Sequence, residues 1–156
     1  MKKFILMLFT HGLALALGFA LGVYFLPILT APASASAEQL RTSMGQARFS
    51  AEVRPDLRGS DFLHKGEGTL LVNDADIAFI GELTPGPDFQ LYLSPDWVED
   101  ADDFHRLKER MVKVGPVRTF SNFQVPVPQS IDVAQYTTAI VWCEAFGAFI
   151  TASKYQ

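Results

Sequence analysis

The stretch YTTAIVWCEAFGAFIT, residues 136–151, decides how this chain is read. It is rich in β-branched and aromatic residues and almost continuously apolar. That predicts a buried central strand over Thr137–Thr151 that bends at Gly147 and continues toward Ser153. Alternation across the pleat puts Ala139, Val141, Cys143 and Ala145 on one face and Ile140, Trp142, Glu144 and Phe146 on the other. Glu144 interrupts the second face and no charge interrupts the first. Cys143, the only cysteine of the chain, is therefore expected to point into the core.

Outward from this strand, the sequence shows short period-two runs separated by turn residues. Arg48–Val53 places Phe49, Ala51 and Val53 on one side, and Pro55 ends it. Gly66–Val72, Ile77–Leu83, Phe89–Leu93, Met111–Val114 and Thr119–Val125 follow, with Asn73-Asp74 and Thr84-Pro85-Gly86-Pro87-Asp88 as turns. Evenly spaced strands with no long amphipathic helix between them predict an all-β domain, an antiparallel sandwich or barrel. One segment departs from the pattern. In Glu99–Arg110 the acids come first and the bases follow, which predicts a short helix capped near Asp100 with Phe104 and Leu107 facing inward. The same acids do not make an EF-hand, because His105 stands where that loop needs glycine and Met111 where it needs a bidentate acid.

At the other end of the chain, Lys2 and Lys3 precede an uncharged run from Phe4 to Ala37, apolar up to Ile28 except for Thr10 and His11. Phe4–Leu26 meets the roughly 20 residues a spanning helix needs and exceeds the roughly 7–15 of a signal-peptide core. Residues 1–31 are thus expected to be an uncleaved transmembrane anchor. The alternative is a signal sequence cut in the Ala33-Ser34-Ala35-Ser36-Ala37 frames. The basic residues on the short side place the N-terminus in the cytoplasm and the domain in the periplasm or extracellular space. Gly18 and Gly22 form a Gly-x-x-x-Gly pair that permits a helix-mediated dimer. Residues 32–46 read as a tether, with Glu38–Met44 either a short helix or irregular, and residues 47–156 as the domain.

With Lys2 and Lys3 set aside from the 13 basic residues, 11 remain against 17 acidic ones. A surface of that sign gives no reason to expect nucleic acid or anionic lipid as a partner; the membrane is expected as one only through residues 4–26. A single cysteine excludes an internal disulfide, a C-x-x-C redox pair, a Cys-x-x-Cys-His haem attachment and a multi-cysteine zinc site, and no metal site is expected. No Gly-x-Ser-x-Gly, His-Glu-x-x-His or glycine-rich phosphate loop occurs, so a classical enzyme is not indicated.

Taken in order, Phe62-Leu63-His64-Lys65-Gly66-Glu67-Gly68, Gly86-Pro87-Asp88-Phe89 with Leu91-Tyr92-Leu93, Phe123 with Pro126, and Tyr136 with Val141-Trp142-Cys143 resemble the DM13 domain over about Ser60–Tyr155. The resemblance implies a β-sandwich of DOMON/Ig-like type. It also implies a role in electron transfer or redox chemistry through the cysteine, with a redox partner protein, the sulfur acting as a bare thiol or holding a prosthetic group such as haem. Cys143 is then the candidate redox thiol, and Cys143 with His64 the candidate cofactor-binding pair. The cofactor itself is not specified by the residues. His64, His105, Met44 and Met111 are the available axial partners for a haem, and none stands at a diagnostic spacing from Cys143. A reactive cysteine needs thiolate character and exposure, and an apolar strand face supplies neither. The rival reading is a non-catalytic module that binds a small ligand or a partner protein near the membrane, with Cys143 structural. Trp142 then serves core packing, and Asp88 holds its own turn.

Overall fold

A computed structural model describes all residues, 1–156. Helix α1 (Lys2–Thr30) is followed by α2 (Ala37–Gln46), and then by strands β1 (Phe49–Val53), β2 (Gly66–Val72), β3 (Asp76–Leu83) and β4 (Phe89–Ser94). Helix α3 (Ala101–Leu107) precedes β5 (Val112–Val117), β6 (Ser121–Pro126), β7 (Thr138–Cys143) and β8 (Ala148–Lys154). The strands make two four-stranded antiparallel sheets, in the orders β1-β2-β3-β6 and β5-β4-β7-β8. The chain changes sheet three times, between β3 and β4, β5 and β6, and β6 and β7.

Apolar residues from the inner faces of both sheets fill the space between them. Val53, Leu70, Ile77 and Phe79 from the first sheet meet Leu91, Leu93, Val141 and Ile150 from the second in one buried cluster. Phe79 stacks on Phe123 with ring centroids 5.1 Å apart. The outer face of the second sheet is also covered. Helix α3 lays Phe104 and Leu107 on Tyr92, Ile140, Trp142 and Phe149, so β7 is buried on both sides, as its unbroken apolar sequence requires. The α3 expectation holds in detail: the Asp100 side chain accepts from the Asp103 amide at 2.8 Å, and Phe104 and Leu107 are buried.

Two readings are corrected by the structure. The expected strand over Thr137–Thr151 is a hairpin, β7 and β8 joined by the turn Glu144–Gly147, with Gly147 at φ +59°. Glycine takes that left-handed conformation at no steric cost, so what looked like a bend is a reversal of direction. Ala145 and Phe146 consequently leave the two strand faces and stand exposed at the turn. Of the two alternatives open for Glu38–Met44, the short helix is the one formed, and it covers Ala37–Gln46. Ser36 and Gln39 make a reciprocal capping box, and Leu40 packs on Leu71 and Ala78 on the outer face of the first sheet. The Ser43 hydroxyl donates to the Asp76 carboxylate and accepts from the Gln124 amide at 3.0 Å. The Asn73 and Gln124 amides also donate to Asp76. These bonds fasten α2 to β3 and β6.

Helix α1 stands apart from this packing. It is 29 residues long, about 43 Å at 1.5 Å per residue, and none of its residues is buried. It is long and apolar enough to cross a membrane.

Candidate functional site

Cys143 closes β7, and its position is set by register: opposite Phe89 on β4 and Ala148 on β8. It lies on the inner face with Ala139 and Val141, as the alternation predicts, and is 2% exposed. Its thiol donates to the carbonyl of Pro87 at 3.0 Å. The next residue along the turn is tied to the same strand end, because the Glu144 amide donates to the carbonyl of Asp88 at 3.1 Å. The Gly-Pro-Asp turn and the Trp-Cys pair, distant in sequence, are therefore two halves of one structure around the sulfur. Gly86 is required there by contact: a Cβ at this position would lie 2.7 Å from the Phe89 ring.

Burial pushes the Cys143 thiol up from its ordinary range. The backbone amides of Phe146 and Ala145 oppose this, and the charges of Asp88 and Glu144 add to it. The resting sulfur is thus a neutral donor, and its thiolate, the nucleophile of thiol–disulfide exchange, is disfavoured.

His64 reaches the same place by another route. In the loop before β2, the Asp61 carboxylate accepts from the backbone amides of Leu63 and His64 at 2.7 and 2.8 Å and from His64 Nδ1 at 3.0 Å. The imidazole hydrogen bond holds the Asp61 carboxyl below the usual carboxylate range. His64 Nδ1 is thereby engaged and Nε2 is left for another partner. Together with Leu63, Pro87, Phe146 and Ile150, His64 and Cys143 line one apolar cavity of about 160 Å³, to which Ala20, Val23 and Tyr24 of α1 also contribute. The two residues singled out in the sequence share a cavity although 79 positions separate them, 64 to 143. A wider cleft of about 620 Å³ opens beyond the turn, between Leu26–Pro32 and Pro116–Phe120, with Asp88 and Arg118 as its only charged groups.

A haem does not fit the smaller cavity. Its volume falls below the roughly 300 Å³ at which pockets for drug-sized ligands begin, and the thiol donates its hydrogen bond to a backbone carbonyl. The other histidine and methionine candidates lie elsewhere. His105 stands edge-on to Trp142 on the opposite face of the sheet, Met44 is exposed on α2 and Met111 packs against the outer cluster of the second sheet. Nowhere do three histidine, cysteine or acidic side chains converge as metal ligands.

One step from Cys143, the other face of β7 carries a cluster that the sequence did not disclose. The Tyr92 hydroxyl donates a short hydrogen bond to the Glu144 carboxylate. Lys113 Nζ lies 3.1 Å from that carboxylate and Lys108 Nζ 3.9 Å. The Tyr92 hydrogen bond and Lys113 hold the Glu144 carboxyl below its ordinary range, whereas burial and the carboxylate push the Tyr92 phenol up. Phe104 stacks flat on Trp142 at 3.8 Å and meets Tyr92 edge-on at 5.2 Å. The only sequence signal for this cluster was the side of β7 on which Glu144 falls. Its partners come from β4, β5 and the end of α3, and no spacing relates them.

A family model described as Electron transfer DM13 matches residues 57–155. No curated protein and no solved structure matches the chain.

Proposed function

The chain belongs to the electron-transfer DM13 family, and from that premise we propose that it works as a membrane-anchored electron-transfer domain with Cys143 as the residue at which its redox chemistry takes place. The observation that carries this reading is the construction around the sulfur. The Gly86-Pro87-Asp88 turn and the Trp142-Cys143 pair meet there, with the Pro87 carbonyl on the thiol. His64, its Nδ1 fixed by Asp61, faces the same cavity and is the second residue of the site. The sandwich is taken to be of DOMON/Ig-like type. In this reading α1 is retained as the anchor, Lys2 and Lys3 keep the N-terminus in the cytoplasm, and the domain lies in the periplasm or outside the cell. A redox partner protein exchanges electrons at the Cys143 end. Gly18 and Gly22, with open space beside each, offer α1 of a second copy a place to pack.

The second reading is a binding module in which Cys143 only fills the core. It is favoured by the 2% exposure of the residue and by the burial that keeps its thiol protonated. The two separate in a redox titration of the full chain in detergent, run beside thermal melts on the parent, Cys143→Ala and Cys143→Ser. The electron-transfer reading expects the redox signal to vanish in both variants at temperatures where both remain folded, since neither side chain can replace the thiol. Folded variants that keep the parent's full signal would sink it and leave the binding module. The visible spectrum of the same preparations reports any chromophore the protein carries.

A further inference from the structure

Beyond α1 toward the C-terminus, only four large apolar side chains are exposed: Met44, Phe62, Leu63 and Phe146. Three of the four gather at one end of the sandwich. Phe62 is 81% exposed and Phe146 63%. Leu63 and Phe146 line the cavity together with Ala20, Val23 and Tyr24 of α1. Neither segment needs these residues for its own folding. The Glu144–Gly147 turn is made by Gly147 at positive φ, and the 61–64 loop by the Asp61 carboxylate on its own backbone amides. Aromatic side chains at two separate loop tips, level with the outer part of an apolar helix, need a common apolar medium.

The route of the chain from α1 holds this end toward that medium. Residues 31–36 connect α1 to α2, and the connection is pinned at the same end: the Ala35 amide donates to the Asn122 carbonyl at 2.7 Å and the Ser34 hydroxyl meets that of Ser121 at 2.8 Å. Helix α2 then runs along the first sheet to the far end, where Arg48 pairs with Asp74 at 2.9 Å. Tyr24 and Phe25 stand edge-to-face at 5.1 Å near the outer end of the apolar run, in the place where spanning helices carry their interfacial aromatics.

We infer that the Cys143 end of the sandwich, through Phe62, Leu63 and Phe146, is seated in the outer interface of the lipid bilayer that α1 crosses. The inference rests on the anchored reading of α1. The occupant is lipid rather than a protein groove, because the cavity beside these tips is lined in part by Ala20, Val23 and Tyr24 of the membrane helix itself. The contact is apolar in kind: Lys65 and Arg118 at this end are accompanied by Asp61 and Asp88, so anionic headgroups are not required. Seated in this way, the cavity of Cys143 and His64 opens at the level of the lipid and not into bulk water.

The test uses the full chain in phosphatidylcholine vesicles. Nitroxide labels are placed singly, in a Cys143→Ala background, at Phe62→Cys, at Phe146→Cys, at Asp74→Cys on the far hairpin, and at Leu17→Cys inside α1. Collision rates with oxygen and with a water-soluble nickel chelate give the depth of each label. The expected result is oxygen-rich, nickel-poor environments at positions 17, 62 and 146, and the reverse at position 74. If position 17 is in lipid while 62 and 146 are as open to nickel as 74, the seating is wrong and the anchor stands. Nickel access at all four positions would overturn both.

Discussion

Cys143 and Glu144 are consecutive residues, yet their side chains occupy opposite media. The sulfur sits between the two sheets with one hydrogen bond, to Pro87, and burial, which penalises its charged form, reinforces its neutral state. The carboxylate, turned to the other side, collects a phenol and two ammonium groups and stays ionised. The difference shows how one strand separates a protonated acid from a deprotonated one within a single step along the chain. At neutral pH each group already takes that form by its own acidity, and what the neighbouring strands bring to each face pushes it further the same way.

The comparison is most strongly broken from the aromatic side. Phe104→Ala removes the ring stacked on Trp142 and in contact with Tyr92. It is expected to cost about 3–5 kcal/mol, with loss of the near-UV circular dichroism of Trp142 and a lowered melting temperature. A melt unchanged within about 1 kcal/mol would mean that α3 does not carry the outer face of the second sheet.

Next in size is Tyr92→Phe, which deletes the phenol's hydrogen bond to a carboxylate and is expected to cost about 1.5–3 kcal/mol. It also changes the dependence on pH. The folded state holds the Glu144 carboxyl below its unfolded value, so this contribution is present above the ordinary carboxylate range and is lost as pH falls through the lowered one. The parent should therefore lose stability on acidification more steeply than Tyr92→Phe. Parallel acid curves for the two proteins would remove Tyr92 from the Glu144 site. On the alkaline side the sign reverses: the raised Cys143 and Tyr92 groups stabilise below their unfolded values, and this is lost as pH rises toward the folded ones.

The smallest effect sharpens the thiol side. Cys143→Ala is expected to cost about 1–2 kcal/mol through lost packing. Cys143→Ser should cost less, because its hydroxyl inherits the Pro87 carbonyl that accepts from the thiol. Chemical denaturation of both variants measures the order. A serine variant weaker than the alanine one would show that the carbonyl is not an effective acceptor. Thiolate absorbance against pH in the intact protein should rise at higher pH than in the unfolded chain. A curve shifted the other way would make Cys143 an activated thiol.

Much of the fold was legible along the chain because its signals are local. Period-two runs between Pro, Gly, Asn and Asp gave the strands, the acid-before-base order of Glu99–Arg110 gave α3, and the apolar alternation of residues 139–143 gave both faces of β7. The hairpin turn was missed for a physical reason. Of Glu144, Ala145, Phe146 and Gly147 only the glycine is a turn former, and Phe146, an aromatic at the tip, mimics a strand residue. Helix α2 was left open because ten residues of low apolar content declare themselves only through the partners they meet, here Asp76, Gln124, Leu71 and Ala78.

The sequence by itself determined that an apolar helix of spanning length precedes an antiparallel β domain, that its single cysteine faces the core, and that its motifs belong with DM13. These follow from composition, period and order, which are properties of neighbours on the chain. Only the tertiary structure decided that the Gly-Pro-Asp turn holds the cysteine's proton, that His64 shares its cavity, and that Tyr92, Lys113 and Glu144 form one charged cluster. It also decided that the exposed side chains of Leu63 and Phe146 share a cavity with residues of α1. Each of these joins residues from different strands and loops, and such distances are set by sheet register and by the packing of one sheet on the other, which no local pattern encodes.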